Sequence, residues 1–373
     1  MDLSLSPEQE AFAKVVADFA ASEVAPHAAG WDASHLFPLD CVRAMGELGL
    51  FGLVFPERYG GSGADFTTFC LAVEELARVD SSVAITLSAG VGLGSSPIFR
   101  FGTDEQRERW LPDLCAGRAL GAFGLTEPGG GSDAGATRTV ARAERPGGDW
   151  VIDGSKAFIT NSGTPITSVI TVTARTPGAA PGATGGPAAP GAAGGGAAPG
   201  AAGAGARAGI SCLLVPAGTP GLVVEEAYRK VGWHASDTHG LSLQGVRVPA
   251  DHLLGVPGRG YAQFLATLDD GRISVAALAV GLAQGCLDES VAYAKARNAF
   301  GGPIGRYQAV AFKCADMAVA VDAARALTYR AAWCKDTGRP YKQQAAAAKL
   351  FATEAAVTAA REATQIFGGY GYM

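Results

Sequence analysis

The sequence predicts an α+β fold with a helical domain at residues 1–120, a β-domain at 121–248 and a helical bundle at 249–373. Apolar residues recur at helical spacing in the first and last of these regions. In the middle region, short apolar runs are separated by turn residues, which is typical of strands. A chain of 373 residues is long enough for such a multidomain arrangement and for a large core.

The helices of the N-terminal domain follow from their start and stop signals. Ser6 and Gln9 form a capping box that begins a helix, and Pro26 ends it. Thr103 and Gln106 repeat the same signal farther along the chain. The sequence predicts the remaining helices of this domain at residues 41–50, 66–79 and 81–99.

The middle domain is predicted from a change of period. Asp153-Gly154, between two strand-like runs, is a hairpin signal. Residues 177–209 are almost entirely Gly, Ala and Pro, so we expect a disordered loop there, either a neutral insertion or a partner-binding tether. Strands are predicted at residues 137–143, 150–152, 156–160, 168–174, 210–215, 222–225 and 241–248.

Long helices return after Pro249. They are predicted at residues 261–286, 307–335 and 343–367, with a further helix end at Gly301. The second of them carries apolar or small residues at 310, 314, 317, 321 and 324, a 4-3 spacing that is typical of a bundle seam.

Bulk composition excludes several classes of protein. The net charge is −5 with both signs dispersed, which does not suggest a nucleic-acid partner. Seven cysteines without a CxxC pair indicate free thiols in a reducing compartment, and no metal site is predicted. The apolar stretches 83–99 and 273–287 fall short of the roughly 20 residues that span a bilayer. With no basic region at the N-terminus, we expect a soluble, cytoplasmic protein.

Two stretches carry the features of a ligand site. The first, from Phe123 to Asp133, leaves an apolar segment, turns at Pro128 and contains three consecutive glycines. Such glycines allow the backbone to approach a bound group closely. The second stretch, from Lys156 to Asn161, is an apolar strand that ends in a hydroxyl and an amide. Both suit a flat ligand with polar edges.

Together, Thr-Glu-Pro-Gly-x-Gly-Ser-Asp and the later aromatic-Ile-Thr-Asn resemble the flavin site of the acyl-CoA dehydrogenases. The resemblance runs from end to end apart from the insertion, and residues 232–238, 268–273 and 299–304 look most like the short-chain (butyryl-CoA) branch. It implies FAD as cofactor and α,β-dehydrogenation of acyl-CoA thioesters in fatty acid β-oxidation. It also implies electron-transfer flavoprotein as partner and a homotetramer.

The resemblance also implies roles for residues of the two stretches. Backbone near Phe123, Leu125 and Thr126 would meet the flavin edge, together with the Thr126 hydroxyl. Thr160 would hydrogen-bond near N5, and Phe158 would pack on the ring, where many relatives have Trp. Ser132 would lie by FAD and substrate. Two alternatives remain open from the residues alone, because Thr126 could be a turn hydroxyl and Phe158 a core aromatic.

A second group of residues matches the positions where the family binds the pyrophosphate and adenosine of FAD across a subunit interface. Arg297 suits phosphate because its guanidinium is bidentate, although it could instead be a helix-end cation. Asp269 and Arg272 match a pair near the CoA moiety, or else form an i,i+3 surface ion pair. The full group for FAD is Arg297, Phe300, Gln308, Gln365 and Gly369.

No residue of the sequence is assigned as the catalytic base. In the short- and medium-chain branches the base is a Glu beyond the Gly-Gly-x-Gly-Tyr motif, and this sequence ends at Met373, directly after that motif. Other branches place the Glu at the position of Gly271, and the adjacent Asp270 points roughly 100° away on a helix. We expect a fragment of a longer product; the alternative is a non-catalytic protein of the same fold that binds flavin or acyl-CoA.

Overall fold

The computed structural model describes residues 4–145, 147–177 and 209–373, so the predicted insertion at 177–209 lies almost entirely outside the described residues. The chain divides into two compact units. The bundle unit comprises Met1–Gly30, Ala64–Ile85 and Asp269–Met373, and the sheet unit comprises Trp31–Gly63 and Thr86–Leu268.

Helices and strands follow the predicted order of helical, β and helical regions. The α-helices are α1 (Pro7–Phe19), α2 (Ala28–Ser34), α3 (Leu39–Glu47), α4 (Phe66–Val79), α5 (Ser81–Ala89), α6 (Ser96–Phe101), α7 (Asp104–Cys115), α8 (Gly260–Ala296), α9 (Gln308–Asp336), α10 (Lys342–Phe367) and α11 (Gly369–Tyr372). The strands are β1 (Leu120–Gly124), β2 (Val140–Ala143), β3 (Trp150–Thr160), β4 (Thr167–Arg175), β5 (Ile210–Pro216), β6 (Leu222–Ala227), β7 (Thr238–Val248), β8 (Leu253–Leu254), β9 (Asn298–Ala299) and β10 (Gly302–Pro303).

The predicted start signals of the first helical region are confirmed. Ser6 caps α1, because its side chain accepts a hydrogen bond from the Gln9 amide and the reciprocal bond is present. Thr103 and Gln106 form the same capping box at α7. Helix α4 has the predicted bounds. Caps of this kind are local in sequence, which is why they are readable without a structure.

The sheet unit is built on one mixed sheet. Its strand order is β6-β7-β3-β2-β4-β5-β8, and β1 joins it by parallel pairing with β4. Alternate residues of the central strands point into a closed apolar core, as the period of two predicts. This core contains Ala122, Ala141, Ile152, Ile159, Ile170, Val172, Ala174, Leu213, Val215, Leu241, Leu243, Val246 and Val248.

The hairpin predicted at Asp153-Gly154 is wrong, because these residues lie inside one continuous strand, β3. Strand β3 pairs with β7 on both sides of a register shift between Ile152 and Gly154. Gly154 has a φ of 152°, and a Cβ atom there would come within 2.5 Å of the Thr139 hydroxyl oxygen. The glycine therefore permits close approach of a neighbouring chain segment rather than a turn.

In the bundle unit, α9 and α10 pack against each other. Met317, Val321 and Ala324 of the predicted seam are buried, whereas positions 310 and 314 are half-buried. The facing stripe on α10 is made of alanines, which let two helix backbones approach closely. Its buried members are Ala345, Ala348, Ala352, Ala355, Ala356 and Ala359.

A buried carboxylate ties α4 to the long helices of the bundle unit. Glu74 accepts hydrogen bonds from Arg325 Nε at 2.9 Å and from the Tyr329 hydroxyl at 2.7 Å. Arg325 also donates to Gln284 of α8 at 2.8 Å. Removing one partner from such a network leaves an uncompensated buried charge, which costs about 3–5 kcal/mol.

Within the described residues, two helical stretches are long and apolar enough to cross a membrane by length and composition. They are Ser81–Phe101 and Gly260–Ala296, both longer than the apolar stretches that the sequence indicates. Of the most apolar window in each, 72% and 44% of the residues are buried inside the protein. Core helices of soluble proteins pass the same test, so the two stretches are weak evidence for a membrane span. The seven cysteines are free thiols.

Candidate active site

The two stretches that the sequence singles out lie side by side in the sheet unit. Strand β1 leads into Leu125 and Thr126, and β3 ends at Thr160. The Ala157 amide donates a hydrogen bond to the Thr126 carbonyl oxygen at 2.8 Å. This bond joins segments that are about thirty residues apart in the chain. We call residues 123–126 and 156–160 the edge segments, because the first segment lies along one edge of β3 where β3 contains the second.

Phe158 projects from the edge segments instead of packing into the core. Between Lys156 and Ile159, β3 has one residue more than β7, which is a β-bulge. Phe158 adopts a φ of 62°, unusual for a residue with a side chain. Its ring is 64% exposed and lies 5.0 Å from the ring of Tyr228. The alternative of a core aromatic is therefore wrong.

The remaining predicted residues of the edge region differ in what they expose. The Phe123 side chain is buried and stacks on Phe264 with ring centroids 5.7 Å apart, so only its backbone is left to meet a ligand. Leu125, Thr126 and Thr160 are half-buried. Ser132 is exposed in the glycine-rich loop.

A buried ion pair lies behind the edge segments. The Lys156 ammonium is 2.9 Å from a carboxylate oxygen of Glu127, and Lys156 is only 1% exposed. The same ammonium donates to the Leu125 carbonyl at 3.3 Å and to the hydroxyls of Thr137 and Thr173 at 3.2 and 3.1 Å. These four contacts account for its positive charge and its donors in a place without water access.

The carboxylate of Glu127 is held by several donors besides Lys156. It accepts from the amides of Arg138 at 2.6 Å and Thr139 at 3.0 Å, and from the Thr137 hydroxyl. Burial acts to raise the pKa of Glu127, but the Thr137 hydrogen bond and the charge of Lys156 outweigh it and lower the pKa to about 2. Burial lowers the pKa of Lys156, and the Glu127 carboxylate opposes that shift.

A second pair of charged side chains lies at the start of β7, which pairs with the end of β3. Asp237 accepts from the Gly163 amide at 2.9 Å and contacts His239 Nε2 at 2.7 Å. The other ring nitrogen, Nδ1, lies 2.6 Å from the Glu225 carbonyl oxygen. Both ring nitrogens therefore face acceptors, which only a doubly protonated ring satisfies. The hydrogen bond with Asp237 accordingly raises the pKa of His239.

The bundle unit contains part of the second predicted group. Arg297 and Gly369 line one cavity of about 650 Å³. The cavity is otherwise mainly aromatic and apolar, and includes Tyr293 stacked on Phe367 at 4.3 Å. The exposed residues Phe300, Gln308 and Gln365 are not among those that line this cavity.

Asp269 and Arg272 form an i,i+3 ion pair on α8, which is the alternative that the sequence leaves open to a place near CoA. The contact does not exclude a role toward CoA, so that role stays a prediction. The neighbouring Asp270 is buried and contacts the Lys335 ammonium at 2.9 Å and the Tyr341 hydroxyl at 2.5 Å. A carboxylate held in this way is a structural group. Around Gly271, a Cβ atom would meet nothing within 4 Å.

Sequence reasoning missed Glu127 and Lys156, although both lie within the stretches it singled out. The available signal was Lys156 itself, a charged residue in an otherwise apolar strand. Such a residue requires a counter-charge once the strand is buried. Spacing alone does not identify Glu127 as the partner, because the contact arises only where the segment after β1 lies beside β3 in the folded sheet.

The geometry of the edge segments fits a flat aromatic cofactor. A bulge and a left-handed φ hold the Phe158 ring outward, at a cost in backbone strain that the core does not require. Half-buried hydroxyls of Thr126 and Thr160 lie on the joined segments. An apolar face with a few convergent polar groups is the usual composition of a small-molecule site.

Comparison with known proteins identifies the family. Models of the acyl-CoA dehydrogenase N-terminal, middle and C-terminal domains match residues 6–118, 122–189 and 258–373. The chain is 46% identical over its whole length to the probable acyl-CoA dehydrogenase YngJ of Bacillus subtilis, covering 91% of that protein. It is 42% identical to the mitochondrial short-chain specific acyl-CoA dehydrogenase of Bos taurus, over 95% of this chain and 79% of that one. The chain therefore belongs to the acyl-CoA dehydrogenase family.

Solved structures agree with this assignment. Butyryl-CoA dehydrogenase from Megasphaera elsdenii superposes with a TM-score of 0.89 at 39% identity, covering all of this chain and 91% of that one. A chain solved in a study of the electron transferring flavoprotein of Acidaminococcus fermentans gives 0.90 at 40% identity, with 100% and 90% covered. An acyl-CoA dehydrogenase complexed with FAD from Bacillus anthracis gives 0.86 at 31% identity, with 99% and 62% covered. The predicted fold is confirmed.

Proposed function

We propose that this protein is an FAD-dependent dehydrogenase that converts short acyl-CoA thioesters to trans-2-enoyl-CoA and passes the electrons to an electron-transfer flavoprotein. Members of its family are oxidoreductases that act on CH–CH donors, and a related enzyme has been solved with FAD. The observation that carries the proposal is the hydrogen bond from Ala157 to Thr126, which joins the two edge segments into one site.

The edge segments would hold the flavin. Backbone near Phe123 and Leu125 and the hydroxyls of Thr126 and Thr160 would bind its polar edge, while the exposed Phe158 ring would pack on its face. When bound, FAD supplies the hydride acceptor. The contribution of the chain itself is to orient the cofactor and exclude water, because preorganised donors stabilise developing charge without reorganisation.

The substrate would lie beside the same loop. Ser132 is exposed near the end of the glycine-rich stretch, where a hydroxyl could contact the acyl group. Asp269 and Arg272 are proposed to lie near the CoA moiety. Similarity to butyryl-CoA dehydrogenase favours short acyl chains over long ones.

We further propose a homotetramer in which Arg297, Phe300, Gln308, Gln365 and Gly369 bind the FAD of a neighbouring subunit. The bundle unit exposes large apolar side chains at a spacing of seven on each of two helices, Phe312 and Val319 on α9 and Leu350 and Val357 on α10. Large apolar side chains left exposed in this way are typical of protein interaction sites. Sedimentation would test the assembly, and a flavin-loaded monomer would rule it out.

The function is tested by a visible spectrum followed by an anaerobic titration. We expect the purified protein to show a flavin spectrum, with added FAD if needed. We expect butyryl-CoA to bleach that spectrum slowly at most, because no residue of this sequence is assigned as the base. Thr126→Val with Thr160→Val should weaken FAD binding, whereas Thr353→Val, at a half-buried threonine of α10, should leave it unchanged. A persistently colourless protein would refute the cofactor assignment. Rapid bleaching by butyryl-CoA would show a base that is not yet assigned and would rule out the non-catalytic alternative.

A further inference from the structure

Glu127 and Lys156 form a buried ion pair beside the proposed flavin-binding residues, but the proposed function assigns no role to this pair. We propose that this pair is the positioning element of the flavin site, which fixes the two edge segments relative to each other. The inference rests on the proposed function, because it assigns a purpose to residues behind the predicted flavin-edge groups rather than to groups that touch the flavin.

The first argument is where the Lys156 ammonium reaches. Its own residue lies in one edge segment, two positions before Phe158, and its ammonium donates to the carbonyl oxygen of Leu125 in the other. The stem passes over Gly124, where an added Cβ atom would lie 3.2 Å from Lys156 Cγ. One side chain therefore joins both edge segments directly, in addition to the backbone bond from Ala157 to Thr126.

The second argument is what the Glu127 carboxylate holds. Its carboxylate oxygens accept hydrogen bonds from the amides of Arg138 and Thr139, which lie beyond the glycine-rich loop. Its own backbone forms a pair of hydrogen bonds with Gly130, at 3.1 and 3.0 Å. The carboxylate thus ties the entry of the loop to its exit, and a loop with three consecutive glycines has few other means of keeping one conformation.

The third argument comes from the physics of buried ion pairs. Burying an ion pair costs desolvation free energy that the attraction between the charges often fails to offset. Proteins in which apolar residues of similar volume replace such a pair are often equally stable. What an ion pair does provide is geometry, because each charged group is satisfied only when its partners stand at fixed positions. A charged pair directly behind the edge segments is therefore expected to act on the position of Leu125, Thr126 and Phe158 more than on overall stability.

The proposal predicts that stability and FAD affinity respond differently to substitution. Lys156→Met and Glu127→Gln should each lower the melting temperature of the protein, because each leaves a buried partner uncompensated. The double variant removes that imbalance and should recover most of the melting temperature. It should nevertheless bind FAD at least about tenfold more weakly than wild type, since roughly one hydrogen bond of positioning is lost.

Three measurements on the full chain separate the outcomes. FAD affinity is measured by fluorescence quenching, and the resolution of the visible flavin bands reports the environment of the bound ring. Deuterium exchange without FAD should rise selectively at the amides of Gly130, Arg138 and Thr139 in all three variants. Ser211→Ala is the control, because it removes buried hydrogen bonds from another strand of the same sheet. It should lower the melting temperature while leaving the flavin bands and those amides unchanged.

The results would overturn the proposal in a recognisable way. If the double variant regains both wild-type stability and wild-type FAD affinity, the pair is an ordinary core interaction. If exchange rises equally throughout the sheet, the pair does not position the loop. A wild-type protein that never binds FAD would remove the proposed function and this inference together, whereas loss of the inference alone leaves wild-type FAD binding intact.

Discussion

Replacing Phe158 by glycine or by alanine separates a residue that serves a ligand from one that serves the fold. Both substitutions remove the ring, and they differ only in how the backbone accepts the φ of 62° at this position. A left-handed conformation costs a residue with a Cβ atom about 1–2 kcal/mol, and costs glycine almost nothing. We therefore expect the glycine variant to be more stable than the alanine variant by about 1–2 kcal/mol.

The comparison with wild type also follows from the structure. Phe158 is 64% exposed and its ring contacts that of Tyr228, so loss of the ring removes roughly 0.5–1.5 kcal/mol of aromatic packing. Relief of backbone strain offsets this loss in the glycine variant, whose stability should lie within about 1 kcal/mol of wild type. A buried phenylalanine would instead cost about 3–5 kcal/mol on truncation. Phe264, which is buried against Phe123, provides that reference as Phe264→Ala.

The assay is urea unfolding of each variant without FAD, followed by FAD titration at a fixed protein concentration. Loss of a ring that stacks on a flat heterocycle costs roughly 1–3 kcal/mol, so we expect both variants to bind FAD about tenfold to a hundredfold more weakly. Wild-type FAD affinity in a variant that unfolds several kcal/mol more easily would refute the reasoning, because Phe158 would then support the fold and not the cofactor.

Two further predictions concern the bundle unit and the end of β3. Gly271→Ala should stabilise α8 by up to about 1 kcal/mol, because the added Cβ atom meets nothing within 4 Å. In Gly281→Ala the added Cβ atom would overlap the Glu74 carbonyl oxygen, so this variant should be destabilised by about 1–3 kcal/mol. Urea unfolding should show changes of opposite sign in the two variants, and equal changes would contradict the prediction. His239 has a raised pKa, so its ion pair with Asp237 contributes stability that is complete below a pH of about 6.5 and is lost as pH rises through the folded pKa. The melting-temperature difference between wild type and His239→Gln should therefore shrink as the buffer is taken from pH 5 to pH 9, and a difference independent of pH would count against a charged His239.

The parts of the fold that were predictable from sequence are those set by nearby residues. Capping boxes at Ser6 and Thr103 involve partners three positions away, and the seam of α9 repeats within one helix. The hairpin prediction at Asp153-Gly154 failed because the same dipeptide also suits a strand position where another chain segment approaches closely. Thr139 is that segment, and its proximity depends on the packing of the whole sheet.

In the candidate site, too, the features set by nearby residues were predictable from the sequence, and those set by the folded sheet were not. Motif spacing brought out both edge segments, and the structure joins them through Ala157 and Thr126. Motif spacing could not show that Phe158 leaves the core, because a bulge is defined by the pairing with the partner strand and not by the sequence of the strand that carries it. Nor could motif spacing pair Glu127 with Lys156, since their contact requires the segment after β1 to lie beside β3 in the folded sheet.

Departures from local preference concentrate in a short stretch at the end of β3. Lys156 is a buried charge, Phe158 an exposed ring, and Phe158 and Asn161 both have left-handed φ values. Each departure costs free energy, and none of them improves the apolar core of the sheet, which β3 already supplies through Ile152 and Ile159. Natural sequences retain such conflicts where function requires them. The strand therefore combines two tasks: Ile152 and Ile159 contribute to the core, and the residues around Ile159 hold an ion pair, a projecting ring and a hydroxyl in the arrangement that we assign to the flavin.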